Sequence, residues 1–312
     1  MNYYKPLSKT QELTENIEDY CEALVSLSEQ YDSPVIFYNM YLVWIFAYEI
    51  QQDFESMLEV CEQGEQFVQK NAVYKQHKKT VTFQTKKMSA YLHLRNYRDG
   101  RATAEKCLKE LKAGSEDWFN FMDYYFLLTM HVNNPLQSVA IFKLVYNNSK
   151  LRKQDNEIVE KWDIYEGYIE YLIQVEGKEN PVLQKQQNKQ FRASKFIGKP
   201  TPYNKEQRIF TVHVLILQIL FLLEERKFNE VMDRIDRLKK YANRQLRREE
   251  YHRPVQFIRL LQQYAKSDFQ PGETTGTERY LNQLKSVPFF YRGVNAELEI
   301  IPYEMLWERI QQ

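Results

Sequence analysis

The sequence predicts an all-α protein in which antiparallel helical hairpins stack on one another. Strand-forming alternation and glycine-rich hairpin turns are nearly absent, and the 312 residues include only 9 Gly. The pattern of residues 53–57 (DFESM) returns 43 residues later as 96–100 (NYRDG). Each copy ends one aromatic-rich helical stretch and begins another, in which small residues recur. A helix, a tight turn and a second helix, repeated at such a period, are typical of elongated arrays of helical hairpins.

The first two predicted helices cover residues 9–30 and 34–51. Ser33 is suited to cap the second of them, and Pro34 to occupy its first position. This second helix carries aromatic residues on nearly every face, which indicates contact on both sides. The first helix has one apolar stripe at helical spacing, formed by Ile17, Tyr20, Leu24 and Leu27.

The remaining helices follow from the same periodicity and from Pro, Gly and Asn residues at the breaks. They are predicted at 54–70, 77–94, 98–112, 116–132, 136–147, 156–174, 205–225, 228–248, 253–267 and 276–286. In the third hairpin Leu136 takes the place of Phe54 and Tyr97, at an interval of 39 residues. Residues 297–300 alternate like a short strand, and Pro302 opens a final helix. We interpret this ending as a short C-terminal capping segment over the last hairpin.

Residues 175–206 are predicted to be a polar linker or long loop. They contain Gly and Pro among many Gln and Lys residues, and loops of this length are functional or flexible. The linker would separate N-terminal hairpins in residues 1–174 from C-terminal hairpins and the cap in residues 207–312.

Charge is distributed unevenly along the chain, although the net charge is only +1. Residues 1–72 contain 3 Lys or Arg and 13 Asp or Glu, whereas residues 183–262 contain 18 and 8. The resulting field can steer a partner or favour head-to-tail contact between copies. The alternative is that exposed helix faces are solvated unevenly, without consequence for binding.

The sequence favours a cytoplasmic protein without a membrane-spanning segment. The three cysteines lie far apart on apolar helix faces, so we expect reduced core residues. Residues 1–10 lack the apolar core of a signal peptide. The strongest apolar run, 209–223, is shorter than a bilayer-spanning helix and is interrupted by His213 and Gln218.

Several residues occupy matching positions when Phe54 is aligned with Tyr97. The matches are Trp44 and Tyr48 with Met88 and Tyr91 in the first helices, and the small residues Gly100, Ala104 and Cys107 in a second helix. In this register, residues 34–150 and, more weakly, 205–250 resemble the tetratricopeptide repeat, a unit of about 34 residues. The resemblance implies an α-solenoid that binds other proteins. The ending 300–304 with Trp307 is also similar to that of uncharacterised helical-repeat proteins of Bacteroidetes, which implies no activity.

Residues suited to catalysis or metal binding do not form a recognised motif, so we expect no enzyme activity, metal or cofactor. None of the five histidines has a metal-binding spacing, and His213 is expected to be a hydrogen-bonded core residue. The acidic residues Glu160, Asp163, Glu166 and Glu170 follow helical spacing. Paired carboxylates can bind a metal or transfer protons, but opposite Trp162 they more often form a solvated face.

A basic stripe along the helix 228–248 is the main argument for nucleic-acid binding. It consists of Arg234, Arg237, Lys240, Arg244 and Arg248, opposite the apolar residues Val231, Ile235, Leu238 and Ala242. Together with Lys185, Lys189, Arg192 and Lys195 it could follow a phosphate backbone or contact an acidic partner. The acidic residues Asp233 and Asp236 dilute the stripe, and the other interpretation is an ordinary solvated face.

Stacked hairpins leave a groove lined by the first helix of each pair. The residues expected to face it are Asn39, Phe46, Thr82, Thr85 and Ser89, although Phe46 could instead pack on the neighbouring hairpin. Small polar residues beside aromatic ones suit an extended peptide or a partner helix. We therefore expect a protein-binding scaffold or adaptor. The alternative is a peptide- or ligand-responsive regulator that contacts nucleic acid through residues 183–262.

Overall fold

The computed structural model describes residues 10–71, 77–194, 208–247, 251–270 and 276–311. Within these ranges the chain is helical and contains no β-strand. The all-α fold is therefore confirmed. The chain forms two compact units, residues 1–128 and 129–312.

The first unit is a series of helices in which, from the first to the fifth, each one packs against the next. Its helices are α1 (Thr10–Gln30), α2 (Pro34–Gln51), α3 (Phe54–Lys70), α4 (His77–Leu94), α5 (Tyr97–Glu110) and most of α6 (Glu116–His131). These bounds lie within two residues of the predicted ones, because the breaks between helices carry strong local signals.

The second unit is built around α8, which packs against both α7 and α10. Its helices are α7 (Pro135–Tyr146), α8 (Asn156–Glu176), α9 (Pro181–Gln184), α10 (Arg208–Glu224), α11 (Phe228–Gln245), α12 (His252–Lys266), α13 (Thr277–Lys285) and α14 (Tyr303–Ile310). Every residue of α10 from Ile209 to Leu222 is buried. The predicted linker 175–206 falls inside this unit.

Helix ends at the hairpin turns share one backbone geometry. A residue one or two positions past the end of the helix has positive φ, and the next N–H bonds back to a carbonyl five residues earlier, as in the Schellman motif. At Gln52 φ is 59°, and the Asp53 N–H donates to the Tyr48 carbonyl at 3.0 Å. The same arrangement occurs at Arg95, Asn133, Arg226 and Asp268. None of these positions is a glycine, so the tertiary fold holds residues that ordinarily avoid this conformation.

The repeated sequence pattern marks the start of the second helix in a hairpin. Asp53 caps α3 by accepting hydrogen bonds from the Ser56 N–H at 3.1 Å and the Ser56 hydroxyl at 2.7 Å. These two bonds lower the pKa of Asp53. Asn96 caps α5 by accepting from the Asp99 N–H at 3.3 Å. The repeated pattern therefore reflects the same kind of N-cap at the start of α3 and of α5.

Small residues in α3 and α5 let neighbouring helices approach closely. A Cβ atom built on Gly64 would lie 2.5 Å from the Phe83 ring of α4, and one on Gly100 would lie 2.5 Å from Leu128 of α6. Any larger side chain at these two positions would clash with the neighbouring helix. The nearby small residues Ala104 and Cys107 are completely buried as well. The small-residue positions predicted for the second hairpin are confirmed.

The structure corrects the alignment of the third hairpin. Asn133 is its residue with positive φ and Asn134 its N-cap, so Pro135 is the structural equivalent of Phe54 and Tyr97. Leu136, which the sequence alignment placed there, lies one position later and is exposed. The misalignment arose because Pro135 lacks an aromatic side chain, although proline is well suited to the first helical position.

The predicted strand at residues 297–300 is also wrong. A 3₁₀ turn covers Asn295–Glu297, and the extended residues that follow are buried on both sides. Both the apolar Leu298 and the acidic Glu299 lie in the core. The alternation therefore does not separate a core face from a solvent face.

Candidate interaction surfaces

The first candidate surface is an apolar stripe on α1, at the start of the first unit. Tyr20, Leu27 and Tyr31 are 63%, 40% and 58% exposed, and Leu24 between them is half-buried. The Tyr31 N–H donates to the Leu27 carbonyl at 2.9 Å, so Tyr31 continues the helical register. We call Tyr20, Leu24, Leu27 and Tyr31 the α1 seam. Of the stripe predicted from sequence, only Ile17 is buried.

The predicted groove residues divide between exposed and buried positions. Asn39 is exposed, and its side-chain N–H donates to the Val35 carbonyl of its own helix at 2.8 Å. Phe46 and Thr82 are half-buried. Thr85 and Ser89 are buried, so they offer a ligand little surface.

Charged side chains next to these groove positions bind one another inside the first unit. Lys86 of α4 donates to both carboxylate oxygens of the completely buried Glu49 of α2, each at 2.8 Å. Lys87 pairs with Glu62 and Glu65 of α3 at 3.4 Å. Sequence reasoning missed these pairs, because their partners lie 22 to 37 residues apart.

The second candidate surface is the basic face of α11, in the second unit. Val231, Ile235, Leu238 and Ala242 form the buried face of the helix, as predicted. Arg237, Lys240 and Arg244 are exposed, and within the described residues their side chains make no hydrogen bond or ion pair. Arg234 is half-buried, and Arg248 and Lys195 lie outside the described residues. Asp233 and Asp236 are exposed near the start of the helix, so the cations concentrate toward its end.

The acidic residues of α8 do not form the predicted solvated face. Glu166 and Glu170 are each only 6% exposed. The Tyr146 hydroxyl of α7 donates to Asp163 and to Glu166, both at 3.0 Å, and Arg152 pairs with Asp163 at 2.8 Å. Burial and the two carboxylates raise the pKa of Tyr146 well above its usual value. The expectation failed because α7 and the chain after α8 cover this face.

Glu170 connects α8 to the predicted linker. Its two carboxylate oxygens accept the Asn188 N–H at 3.2 and 3.4 Å. Lys143 of α7 holds the same stretch by donating to the Gln186 carbonyl at 3.1 Å. Burial raises the pKa of Glu170 to about 7, against the opposing effect of the Asn188 hydrogen bond. This part of the linker is therefore packed on α7 and α8.

The C-terminal segment is fixed by buried polar contacts. Arg253 of α12 makes two hydrogen bonds of 2.8 Å to the Glu299 carboxylate and also pairs with Glu304 at 2.8 Å. His131 donates from Nε2 to the Glu299 carbonyl at 2.7 Å. The capping segment is therefore part of the core of the second unit.

His213 of α10 is the hydrogen-bonded core residue that the sequence predicted. Its Nε2–H donates to the Leu298 carbonyl at 3.1 Å, and its Nδ1 accepts from the Tyr168 hydroxyl at 2.9 Å. Burial lowers the pKa of His213 to about 4. The imidazole is consequently neutral and serves to hold the backbone at Leu298.

Two of the three free cysteines, Cys61 and Cys107, are buried, and burial raises the pKa of each thiol to about 12. Within the described residues no group of three or more His, Cys, Asp or Glu side chains could hold a metal ion. No helix in the same ranges has the length and apolar character needed to cross a membrane.

The structural features that bear on function are the α1 seam, the basic face of α11 and the buried polar contacts. Comparisons of the chain with known protein families, with curated proteins and with solved structures gave no match. The resemblance to the tetratricopeptide repeat therefore stays a prediction.

Proposed function

We propose that this protein is a cytoplasmic protein–protein interaction module of the helical-repeat type, which binds a partner helix along the α1 seam. The observation that carries the proposal is the exposure of Tyr20, Leu27 and Tyr31, which lie along one side of α1 and its end over about three turns. Single exposed apolar residues are ordinary on protein surfaces, whereas contiguous apolar patches mark interaction sites. The free cysteines support a reducing compartment.

A helix is the partner that best fits the seam. Its apolar residues follow one another at helical spacing, so they form a narrow line rather than a pocket for a small molecule. Asn39, exposed on the neighbouring α2, supplies a polar group on the same unit. An amphipathic helix laid along α1 would bury the line and leave its polar face in solvent.

Capture of binding proteins from native lysate tests this function. Replacing Tyr20, Leu27 and Tyr31 together by Ser should abolish the capture of proteins that survive nuclease treatment. The control replaces two exposed apolar residues of the second unit, Leu144 and Val182, by Ser and should keep them. If the seam variant captures the same proteins as the parent, the proposal is wrong.

A second candidate function is the binding of an acidic partner or nucleic acid to α11. It is favoured by the exposure of Arg237, Lys240 and Arg244, whose side chains have no partner among the described residues. Replacing the three by Glu should remove salt-sensitive retention on nucleic acid and leave the helix content unchanged. Retention that survives this change would exclude the basic face as the binding site.

A further inference from the structure

We infer that the helix bound by the α1 seam is α1 of a second copy of this chain, so that the protein forms a homodimer through its first helix. The inference rests on the proposed function and names its partner. It is carried by the spacing of the apolar residues of α1, by their exposure and by the positions of its charges.

The apolar residues of α1 follow the heptad spacing of a coiled coil. Leu13, Ile17, Tyr20, Leu24, Leu27 and Tyr31 are separated alternately by four and three residues. This alternation places them at successive a and d positions of almost three heptads. Of these, Ile17 is buried, whereas Tyr20, Leu27 and Tyr31 are exposed. α1 thus has the pattern of a helix that pairs with another helix, but the described part of the chain covers only part of this stripe.

The charges of α1 are absent from the positions that flank a coiled-coil contact. Those e and g positions are Thr14, Asn16, Cys21, Ala23, Ser28 and Gln30, all uncharged. The helix contains no Lys or Arg, and its six acidic residues all fall at b, c and f positions of the heptad, which do not flank such a contact. Charges at e and g normally select a partner of opposite sign. In α1 the uncharged e and g positions give no preference for a partner helix of either charge.

An identical helix satisfies these conditions. It brings the same apolar residues in the same spacing, and its uncharged margins leave no charge buried without a partner. Ala23 and Gln30 are exposed beside the seam, and neither would repel its counterpart. Closed twofold dimers are the commonest assemblies of soluble proteins, and they bury the same patch of each copy.

The expected dimer is weak and responds to salt in a characteristic direction. The seam from Tyr20 to Tyr31 is about 17 Å long at about 1.5 Å per residue, which is short for a stable interface. The acidic outer faces of the two helices repel each other, and salt screens this repulsion, with a screening length of about 10 Å at about 0.1 M. Dimerisation should therefore strengthen at high salt.

Sedimentation velocity of the purified full chain, over a concentration series at low and high NaCl, tests the inference. We expect a reversible dimer that is tighter at high salt. The triple Ser variant of Tyr20, Leu27 and Tyr31 should raise the dissociation constant at least about 100-fold. The Leu144 and Val182 control should dimerise like the parent. Replacing Glu22 and Glu29 by Gln leaves the seam intact and should strengthen the dimer at low salt.

Three outcomes would overturn the inference. The first is a parent chain that stays monomeric throughout, which leaves the proposed function intact if the seam still captures another protein from lysate. The second is a dimer that the triple Ser variant retains while its circular dichroism is unchanged. The third is association that weakens with salt and is lost on reversing Arg237, Lys240 and Arg244, because that result indicates head-to-tail contact with α11.

Discussion

Helices α8 and α11 carry similar patterns of apolar and charged residues, yet they occupy different environments. In α11 the charged side chains Arg237, Lys240 and Arg244 are exposed, and only the opposite apolar face is buried. In α8 the charged arc is covered as well, and Glu166 and Glu170 lie in the interior. Amphipathic spacing indicates which face of a helix is apolar and packs against a first neighbour. It does not indicate whether a second neighbour covers the other face.

The reason for the difference lies in the neighbours of α8. Helices α7 and α10 both pack against it, and the stretch around Asn188 folds back onto Glu170. Tyr146 contributes one hydroxyl proton, which Asp163 and Glu166 share at 3.0 Å each. A buried acidic residue needs such donors, because an unpaired buried charge is costly.

The largest expected loss of stability comes from reversing the charge of a buried residue in α8, and the matched reversal in α11 should have almost no effect. Glu170→Lys would place a cation beside Lys143 and remove the acceptor for the Asn188 N–H, so we expect a loss of about 3–5 kcal/mol in the free energy of unfolding. Lys240→Glu in α11 is the matched control and should change it by less than about 0.5 kcal/mol. Urea unfolding measures both. Equal effects would mean that the two helices do not differ in environment.

The pH dependence of stability gives the next largest effect. Glu170 has a folded-state pKa of about 7, above the usual value of 4.5. The folded protein therefore binds this proton more tightly than the unfolded chain, and stability is lost as pH rises from about 4.5 through 7. In the Glu170→Gln variant the side-chain amide cannot ionise, and its oxygen can still accept the hydrogen bond from the Asn188 N–H. The variant should gain about 1–3 kcal/mol on the parent between pH 5 and pH 8.

The exposed Glu179 near the end of α8 provides the control for this measurement. Glu179→Gln makes the same chemical change at an exposed position and should alter the free energy of unfolding by less than about 0.5 kcal/mol. A Glu170→Gln profile parallel to that of the parent would show that Glu170 is ionised freely in the folded protein.

Asp163 is half-buried, between the buried Glu170 of α8 and the exposed cations of α11. Its substitution should give the smallest of the three effects on stability. The partner of Asp163, Arg152, is exposed, so solvent screens the pair. Asp163→Asn keeps an acceptor for the Tyr146 hydroxyl and should cost less than about 1 kcal/mol. A loss as large as that of Glu170→Lys would place Asp163 in the same buried environment as Glu170. Thermal unfolding at two salt concentrations would show the difference.

Much of the fold was predictable because its signals are local. The helix breaks at residues 53 and 96 and the small residues Gly100 and Ala104 stand where the sequence pattern placed them. The exposure of the α1 seam and the burial of Glu166 were not predictable from one helix considered alone. A further signal in α8 was available, since Tyr165, Tyr168 and Tyr171 extend its apolar surface well beyond Trp162.

By itself the sequence determined the helices and where they begin and end, because these depend on residues within about four positions of each other along the chain. The tertiary structure decided which charges are buried and which apolar residues are left in solvent. Arg253 finds Glu299 46 residues away, and His131 finds the Glu299 carbonyl 168 residues away. Such contacts depend on how the chain returns on itself, which the spacing of residues within one helix does not record.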